Sequence, residues 1–244
     1  MTSASLLLAS ASALLVGLSK TGLPGVSILA ILLMTEAYPD DARLSVGAIL
    51  PVLLAGDVFA VAWFRRHADW GRLVRLLPWV LVGTIPGVFV LLWFEGNQLR
   101  PIIGVLVLGM LLVEICRQWF GWERMPHRWW FAAATGFMAG LTTFVANAAM
   151  PVMSIYLVSQ DFDKRQFIGT AAWFFLILNL SKVPPYCAMG MLTPSMLPTA
   201  AALAPLTIVG ALLGVYVLSR IPQRLFDALA LVLAGIAAVR LFAM

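Results

Sequence analysis

The chain has 244 residues, of which 62% are hydrophobic and 11% charged, and its mean hydropathy is +0.97. This composition excludes a soluble globule and predicts one integral membrane domain. The net charge of +5 lies in short connectors, without the basic run and interleaved aromatic residues of a nucleic-acid-binding surface. Neither a metal-ligand cluster nor a cofactor motif is present in the sequence, so we expect no metal site, no cofactor and no nucleic-acid partner.

Six segments are long and apolar enough to cross a hydrocarbon core of about 30 Å as helices. They are residues 42–64, 73–94, 99–117, 164–187, 196–219 and 222–242. Two further apolar segments, residues 1–36 and 129–160, contain Gly, Pro or Asn near their middle. These residues interrupt a regular helix, at 19–25 in the first segment and 147–151 in the second. We therefore interpret each segment as two half-helices joined by an unwound elbow.

The positive charges of the connectors distinguish two topologies for these interrupted segments. If both segments cross the membrane, giving eight transmembrane segments, lysine and arginine are divided almost equally between the two sides. If both turn back as re-entrant hairpins, one side collects Arg65, Arg66, Arg72, Arg75, Arg117, Arg124, Arg128, Lys164, Arg165, Arg220 and Arg224, and the other has Arg43, Arg100 and Arg240. This bias favours the re-entrant topology, which places both termini in the periplasm of a bacterial inner membrane.

The two halves of the chain share a sparse frame of residues. Arg43-x3-Gly47-x9-Asp57 matches Arg165-x3-Gly169-x9-Asn179, and Pro78-x4-Gly83-x3-Gly87 matches Pro205-x4-Gly210-x3-Gly214. We predict two membrane repeats, residues 1–120 and 121–244. Each contains one hairpin and three spans, an odd number of crossings, so the repeats must be inverted. The predicted fold is an all-α polytopic membrane protein of two inverted repeats, each a broken re-entrant helical hairpin plus three transmembrane helices.

The elbows are the predicted binding site. Lys20 lies in the first elbow, where an ammonium between apolar half-helices needs a partner, water or an anion. The helix that follows each elbow directs free N–H groups and a positive dipole end towards the same place, which favours a compact oxyanion. The candidate substrate-binding residues are Lys20, Thr21, Gly22, Pro24, Gly25, Ser27, Thr143, Asn147, Pro151 and Ser154. The alternative is that Lys20 extends to the membrane surface and the prolines only break helices.

A second group of polar residues interrupts two of the spans. Asp57 has Asn179 as its counterpart in the second repeat, and Lys182 follows Asn179 on nearly the same helix face. Asp57 could pair with Lys182 or with Lys20, and it is a candidate proton carrier as well as a candidate structural ion-pair partner. We therefore assign Asp57, Asn179 and Lys182 a coupling or charge-relay role.

Three stretches of sequence resemble a known family. Gly17-Leu18-Ser19-Lys20-Thr21-Gly22-Leu23-Pro24-Gly25 is similar to the first-repeat motif of one branch of the TauE/SafE sulfite-exporter family, also called DUF81. The span from Leu44 with Pro51 and Asp57, the following Arg65, Arg66, Asp69 and Trp70, and the stretch 136–141 also resemble it. The resemblance implies an inner-membrane permease for small anions such as sulfite and organosulfonates. Many members have a Gly-Gly-Gly cluster in the second repeat, where this chain has residues 144–149 instead.

These features favour a secondary transporter, exporter or permease, of small sulfur-containing anions that bind between the elbows. One alternative is proton- or sodium-coupled uptake of another organic anion such as a carboxylate, and another is a non-transporting membrane assembly partner. An intramembrane enzyme using Ser19-Lys20 or Ser181-Lys182 is disfavoured, because adjacent residues point to different helix faces. The sequence leaves open the anion, the direction of transport, the coupling ion and the oligomeric state.

Overall fold

The computed structural model describes residues 3–23, 26–94, 129–147, 149–158 and 164–218, with isolated positions between 98 and 119. This part of the chain is helical and contains no strand. Its helices are α1 (Ser3–Thr21), α2 (Val26–Ala37), α3 (Ala42–Phe64), α4 (Trp70–Trp93), α5 (Trp129–Ala146), α6 (Met150–Val158), α7 (Lys164–Ala188) and α8 (Leu197–Leu218). The predicted all-α class is confirmed.

Among the described residues, six helical segments are long and apolar enough to cross a membrane, so the chain is a multi-pass membrane protein. They are Ser3–Thr21, Arg43–His67, Trp70–Trp93, Trp129–Ala146, Arg165–Ala188 and Pro194–Val217. The second, third, fifth and sixth of these match predicted spans. The predicted span 222–242, and all of 99–117 except isolated positions, lie outside the described residues. At 1.5 Å per residue, α2 and α6 are only about 18 and 14 Å long, too short to cross alone.

Both interrupted segments break where the sequence predicts, and both turn back. The Ser12 hydroxyl on α1 donates to the Ala30 carbonyl on α2 at 2.7 Å, so these two helices run antiparallel around the first elbow. The Phe131 and Tyr156 rings of α5 and α6 stack with centroids 6.3 Å apart across the second elbow. Asn147 has φ +53° there, a left-handed conformation that ends α5. Since α1 and α5 are themselves long enough to cross a bilayer, the depth of the elbows stays a prediction.

Helices α3 and α7, which occupy equivalent places in the two halves, pack against each other in opposite directions. Gly47 contacts Met191 near the start of α3, and Asp57 bonds Asn179 in the middle. Gly169, near the start of α7, lies against the Phe64 carbonyl at the end of α3. Equivalent helices of two inverted repeats must run antiparallel, so the packing of α3 on α7 agrees with the predicted inversion. For the whole chain the inverted arrangement and the repeat boundaries stay predictions, because the last predicted span of each repeat lies outside the described residues.

The remaining long helices pack across the two halves. Helix α1 packs on α8, and α5 packs on α4. A Cβ added to Gly210 would overlap the Leu14 backbone, and one added to Gly83 would overlap the Phe137 backbone. Gly83 and Gly210 are equivalent in the repeat frame. Both glycines permit close helix contacts, each joining one predicted repeat to the other.

Candidate functional site

The last turn of α1 directs Lys20 into the bundle. Its side chain is only 6% exposed, and Nζ lies 2.6 Å from Asp57 Oδ1. The same ammonium stands 4.3 Å from the centroid of the Phe175 ring on α7, a cation–π contact. The alternative in which Lys20 extends to the membrane surface is therefore wrong.

Asp57 is fully buried in the middle of α3 and has two partners. Besides the Lys20 ion pair, its Oδ2 accepts a hydrogen bond of 2.6 Å from Asn179 Nδ2. A carboxylate in an apolar bundle is tolerated only when it is paired in this way. Of the two ion pairs that the sequence left open, the structure forms Asp57–Lys20.

Lys182 on α7 has a different environment. It is fully buried, and Nζ contacts the Thr143 carbonyl oxygen at 3.2 Å, Thr143 Oγ1 at 2.8 Å and Asn147 Oδ1 at 2.7 Å. The Tyr186 hydroxyl, one turn further along α7, donates to the Phe144 carbonyl at 2.6 Å. Both residues therefore donate to carbonyls in the last turn of α5, where the Thr143 carbonyl also accepts the Asn147 backbone N–H at 2.9 Å. The Asn147 amide also donates to the Val46 carbonyl at 3.1 Å, which fixes the second elbow to α3.

A small cavity lies between the two elbows, with a volume of about 10 Å³, which is room for about one water molecule. Its lining comes from both hairpins and from α3 and α7: Ser19, Lys20, Ser27, Leu53, Thr143, Asn147, Met150, Phe175 and Asn179. Ser27 and Met150 belong to the first turns of α2 and α6, so the N-terminal ends of both short helices border the cavity. Among the described residues, Asn179 Oδ1 has no hydrogen-bond partner.

The predicted site residues divide into three groups. Lys20, Ser27, Thr143, Asn147 and Asn179 line the cavity, with Asp57 and Lys182 bonded directly to lining residues. Thr21 and Gly22 serve the α1–α8 contact: the Thr21 hydroxyl donates to the Ala211 carbonyl at 2.6 Å, and Gly22 packs against the Gly214 backbone. Pro24 and Gly25 lie outside the described residues, as do the side chains of Pro151 and Ser154, whose backbone belongs to α6.

Two further residues of the site, Phe175 and Tyr186, were not predicted from the sequence. Both lie on the α7 face that carries Asn179 and Lys182, at helical spacings of three or four residues. An aromatic residue one turn from a buried polar residue on the same face was the signal that could have identified them. Within the described ranges, no three His, Cys, Asp or Glu side chains come together as metal ligands.

A helical membrane bundle with broken hairpins, and with buried charges where their elbows meet, has the architecture of a secondary membrane transporter. Comparison with protein-family models agrees. The chain belongs to the TauE/SafE family, because the model described as "Sulfite exporter TauE/SafE" matches residues 6–241. Comparison with curated proteins and with solved structures gave no match. The resemblance noted in the sequence is therefore confirmed over almost the whole chain, and with it the class of anion-exporter-type membrane transporters.

Proposed function

We propose that the protein moves small sulfur-containing oxyanions, such as sulfite or an organosulfonate, across a bacterial inner membrane. The substrate binds in the cavity between the two elbows, against Lys20 and the first turns of α2 and α6. The observation that supports this most strongly is the convergence of a buried ammonium and two helix N-termini on one cavity. The chemical class of the substrate rests on the family.

The electrostatics of the cavity suit an anion. Each helix N-terminus contributes roughly half a positive charge through its free N–H groups, and Lys20 adds a full one. Asp57 balances Lys20 in the structure at 2.6 Å. An arriving oxyanion binds the same Lys20 ammonium while Asp57 stays paired with it, so Asp57 holds the lysine in place with and without an anion. The Asp57 carboxylate is therefore not left as an isolated buried charge.

The cavity must widen before an anion enters. A volume of about 10 Å³ accepts about one water molecule, less than an oxyanion of four or more heavy atoms occupies. We infer that one elbow moves away from the α3–α7 pair to open the cavity to one side, and the other elbow moves to open it to the opposite side. This is alternating access at a site between inverted units.

The direction of transport follows from the sign of the substrate charge. An inside-negative potential drives an anion outwards by about 2.3 kcal/mol per charge per 100 mV. Export therefore needs little coupling, whereas uptake against the same potential needs protons or sodium ions. We propose export as the physiological direction.

Flux measurements on purified protein in liposomes test the proposal. Wild type should move labelled sulfite or methanesulfonate faster than acetate, and Lys20→Gln should reduce sulfite flux at least tenfold, since a charged contact contributes about 1.5–3 kcal/mol. The control is Ser12→Ala, which removes a hydrogen bond within the same hairpin but does not touch the cavity.

Three results would contradict the proposal. Equal sulfite flux in wild type and Lys20→Gln removes the binding site, and preferred transport of acetate favours the carboxylate alternative. Failure of the purified protein to move any of these anions favours a role as an assembly partner.

A further inference from the structure

The two buried lysines near the cavity, Lys20 and Lys182, differ in whether a negative charge lies next to them. Lys20 has a carboxylate at 2.6 Å, whereas all three contacts of Lys182 Nζ are to uncharged oxygens. Among the described residues, no carboxylate lies within ion-pair distance of Lys182. The charged groups that act on it are Lys20 on α1 and Asp57 on α3, and Asp57 is already paired with Lys20. Helix α5 and the second elbow present only Thr143 and Asn147 to it, which do not titrate.

The partners of Lys182 satisfy both protonation states of its amino group. A neutral amine donates two hydrogens, to the Thr143 carbonyl and to Asn147 Oδ1, and its lone pair accepts the Thr143 hydroxyl proton. An ammonium donates to the same three oxygens, including Thr143 Oγ1. Changing from one state to the other requires only that the Thr143 hydroxyl rotates. With no counter-charge nearby, burial favours the neutral amine.

Thr143 connects this amino group to the cavity. Its hydroxyl has Lys182 as its only hydrogen-bond partner among the described residues, and its side chain lines the cavity. The neighbouring Thr142 behaves as threonines in helices commonly do, and its hydroxyl donates to the Met138 carbonyl at 2.7 Å. When Lys182 is protonated and donates to Thr143 Oγ1, the threonine proton is released from the lysine and is free to bond an anion in the cavity.

We propose that Lys182 is a proton-binding site whose occupancy is linked, through Thr143, to anion binding in the cavity. The inference rests on the proposed function and deepens it, because it names the coupling ion and its carrier. One proton, taken from water on the open side, binds the Lys182 amine as one anion enters. Both leave on the other side. A monoanion is then carried without net charge, so its own gradient and the proton gradient set its direction, whereas a dianion such as sulfite keeps one negative charge for the membrane potential to drive outwards. Asp57 stays ionised and paired, so it is not the proton carrier.

The experiment measures protons taken up on anion binding by the full-length protein in nanodiscs. The probe is sodium methanesulfonate, a sulfonate that brings no proton of its own at neutral pH. Calorimetric titrations in two buffers of different ionisation enthalpy give both the affinity and the number of protons. Wild type should take up about one proton per anion bound. Lys182→Gln should bind the anion without this uptake.

A matched pair of threonine variants tests the link without changing any charge. Thr143→Val removes the hydroxyl whose hydrogen bond with Lys182 changes direction, so it should lower proton uptake. It should also lower the anion affinity about tenfold, because one hydrogen bond to a charged ligand is lost. Thr142→Val removes an adjacent buried hydroxyl that bonds only its own helix, and it should change neither quantity.

The outcomes separate this inference from the proposed function. Binding by wild type without proton uptake overturns the inference and leaves the transport proposal intact. Uptake that persists in Lys182→Gln assigns the proton to another group and also overturns it. Equal loss in the two threonine variants removes the role of Thr143. If wild type binds neither methanesulfonate nor sulfite, the proposed function is wrong and the inference falls with it.

Discussion

Asp57 and Asn179 hold the same position in the two halves of the chain, 122 residues apart, and they are hydrogen-bonded to each other at 2.6 Å. In the predicted inverted arrangement, two equivalent residues that touch lie beside the local twofold axis. Identical aspartates there would place two like charges in direct contact. The second half has an amide instead, which donates to the carboxylate of the first half, so the contact is a hydrogen bond rather than a repulsion.

Removing the Asp57 carboxylate should destabilise the protein. Asp57→Asn leaves the Lys20 ammonium buried without a counter-ion, and breaking a buried pair from one side costs about 3–5 kcal/mol. Thermal unfolding of the detergent-solubilised protein should show a clearly lower Tm. The double variant Lys20→Met/Asp57→Leu removes both charges and should recover most of the loss. A single variant as stable as wild type would mean that the pair is not formed in the membrane.

Tyr186→Phe isolates the contribution of the tyrosine hydroxyl. The variant leaves the Phe144 carbonyl without its 2.6 Å partner while the ring keeps its edge contact with Phe144. We expect a loss of about 1–2 kcal/mol from one unsatisfied buried acceptor, with unchanged anion affinity. Unfolding curves and methanesulfonate titrations measure the two quantities. A large loss of affinity at unchanged stability would place Tyr186 in the binding site instead.

The cross-repeat helix contacts should not tolerate a methyl group. Gly83→Ala and Gly210→Ala each place a Cβ where the backbone of Phe137 or Leu14 lies, and overpacking of this kind costs about 1–3 kcal/mol. Gly109→Ala is the control, because no atom of the described residues lies within 4 Å of its added Cβ. Tm values of the three variants make the comparison. Equal effects at all three positions would show that the close contacts are absent.

Reporter fusions test the predicted topology. With both hairpins re-entrant and six spans, Met244 lies in the periplasm, and the loop containing Arg65 and Arg66 lies in the cytoplasm. A periplasm-specific reporter should be active after Met244 and silent in that loop, and a cytoplasm-specific reporter should give the reverse. A cytoplasmic reporter active after Met244 would reject the arrangement with both termini outside.

The sequence was sufficient for features that depend on local chemistry. Gly, Pro and Asn at 19–25 and 147–151 predicted both breaks, because several helix-breaking residues fall together there. A single proline such as Pro51 remains inside α3. Which lysine pairs with Asp57 stayed open, since helix spacing identifies neighbours on one helix but not the contacts between helices. The sequence placed Thr21 in the binding site because it could not show contacts between helices. The Thr21 hydroxyl instead donates to the Ala211 carbonyl, 190 residues away, across a helix contact that no local pattern predicts.

The glycine contacts of α1 with α8, and of α5 with α4, decide which parts of the protein can move together. Because each hairpin packs closely on a helix of the other half, the first hairpin should move together with α8 and the second with α4. In the alternating-access cycle proposed above, we therefore expect two moving bodies that each combine helices from both halves, α1, α2 and α8 in one and α4, α5 and α6 in the other. We expect the antiparallel pair α3–α7 to be the support against which both bodies move.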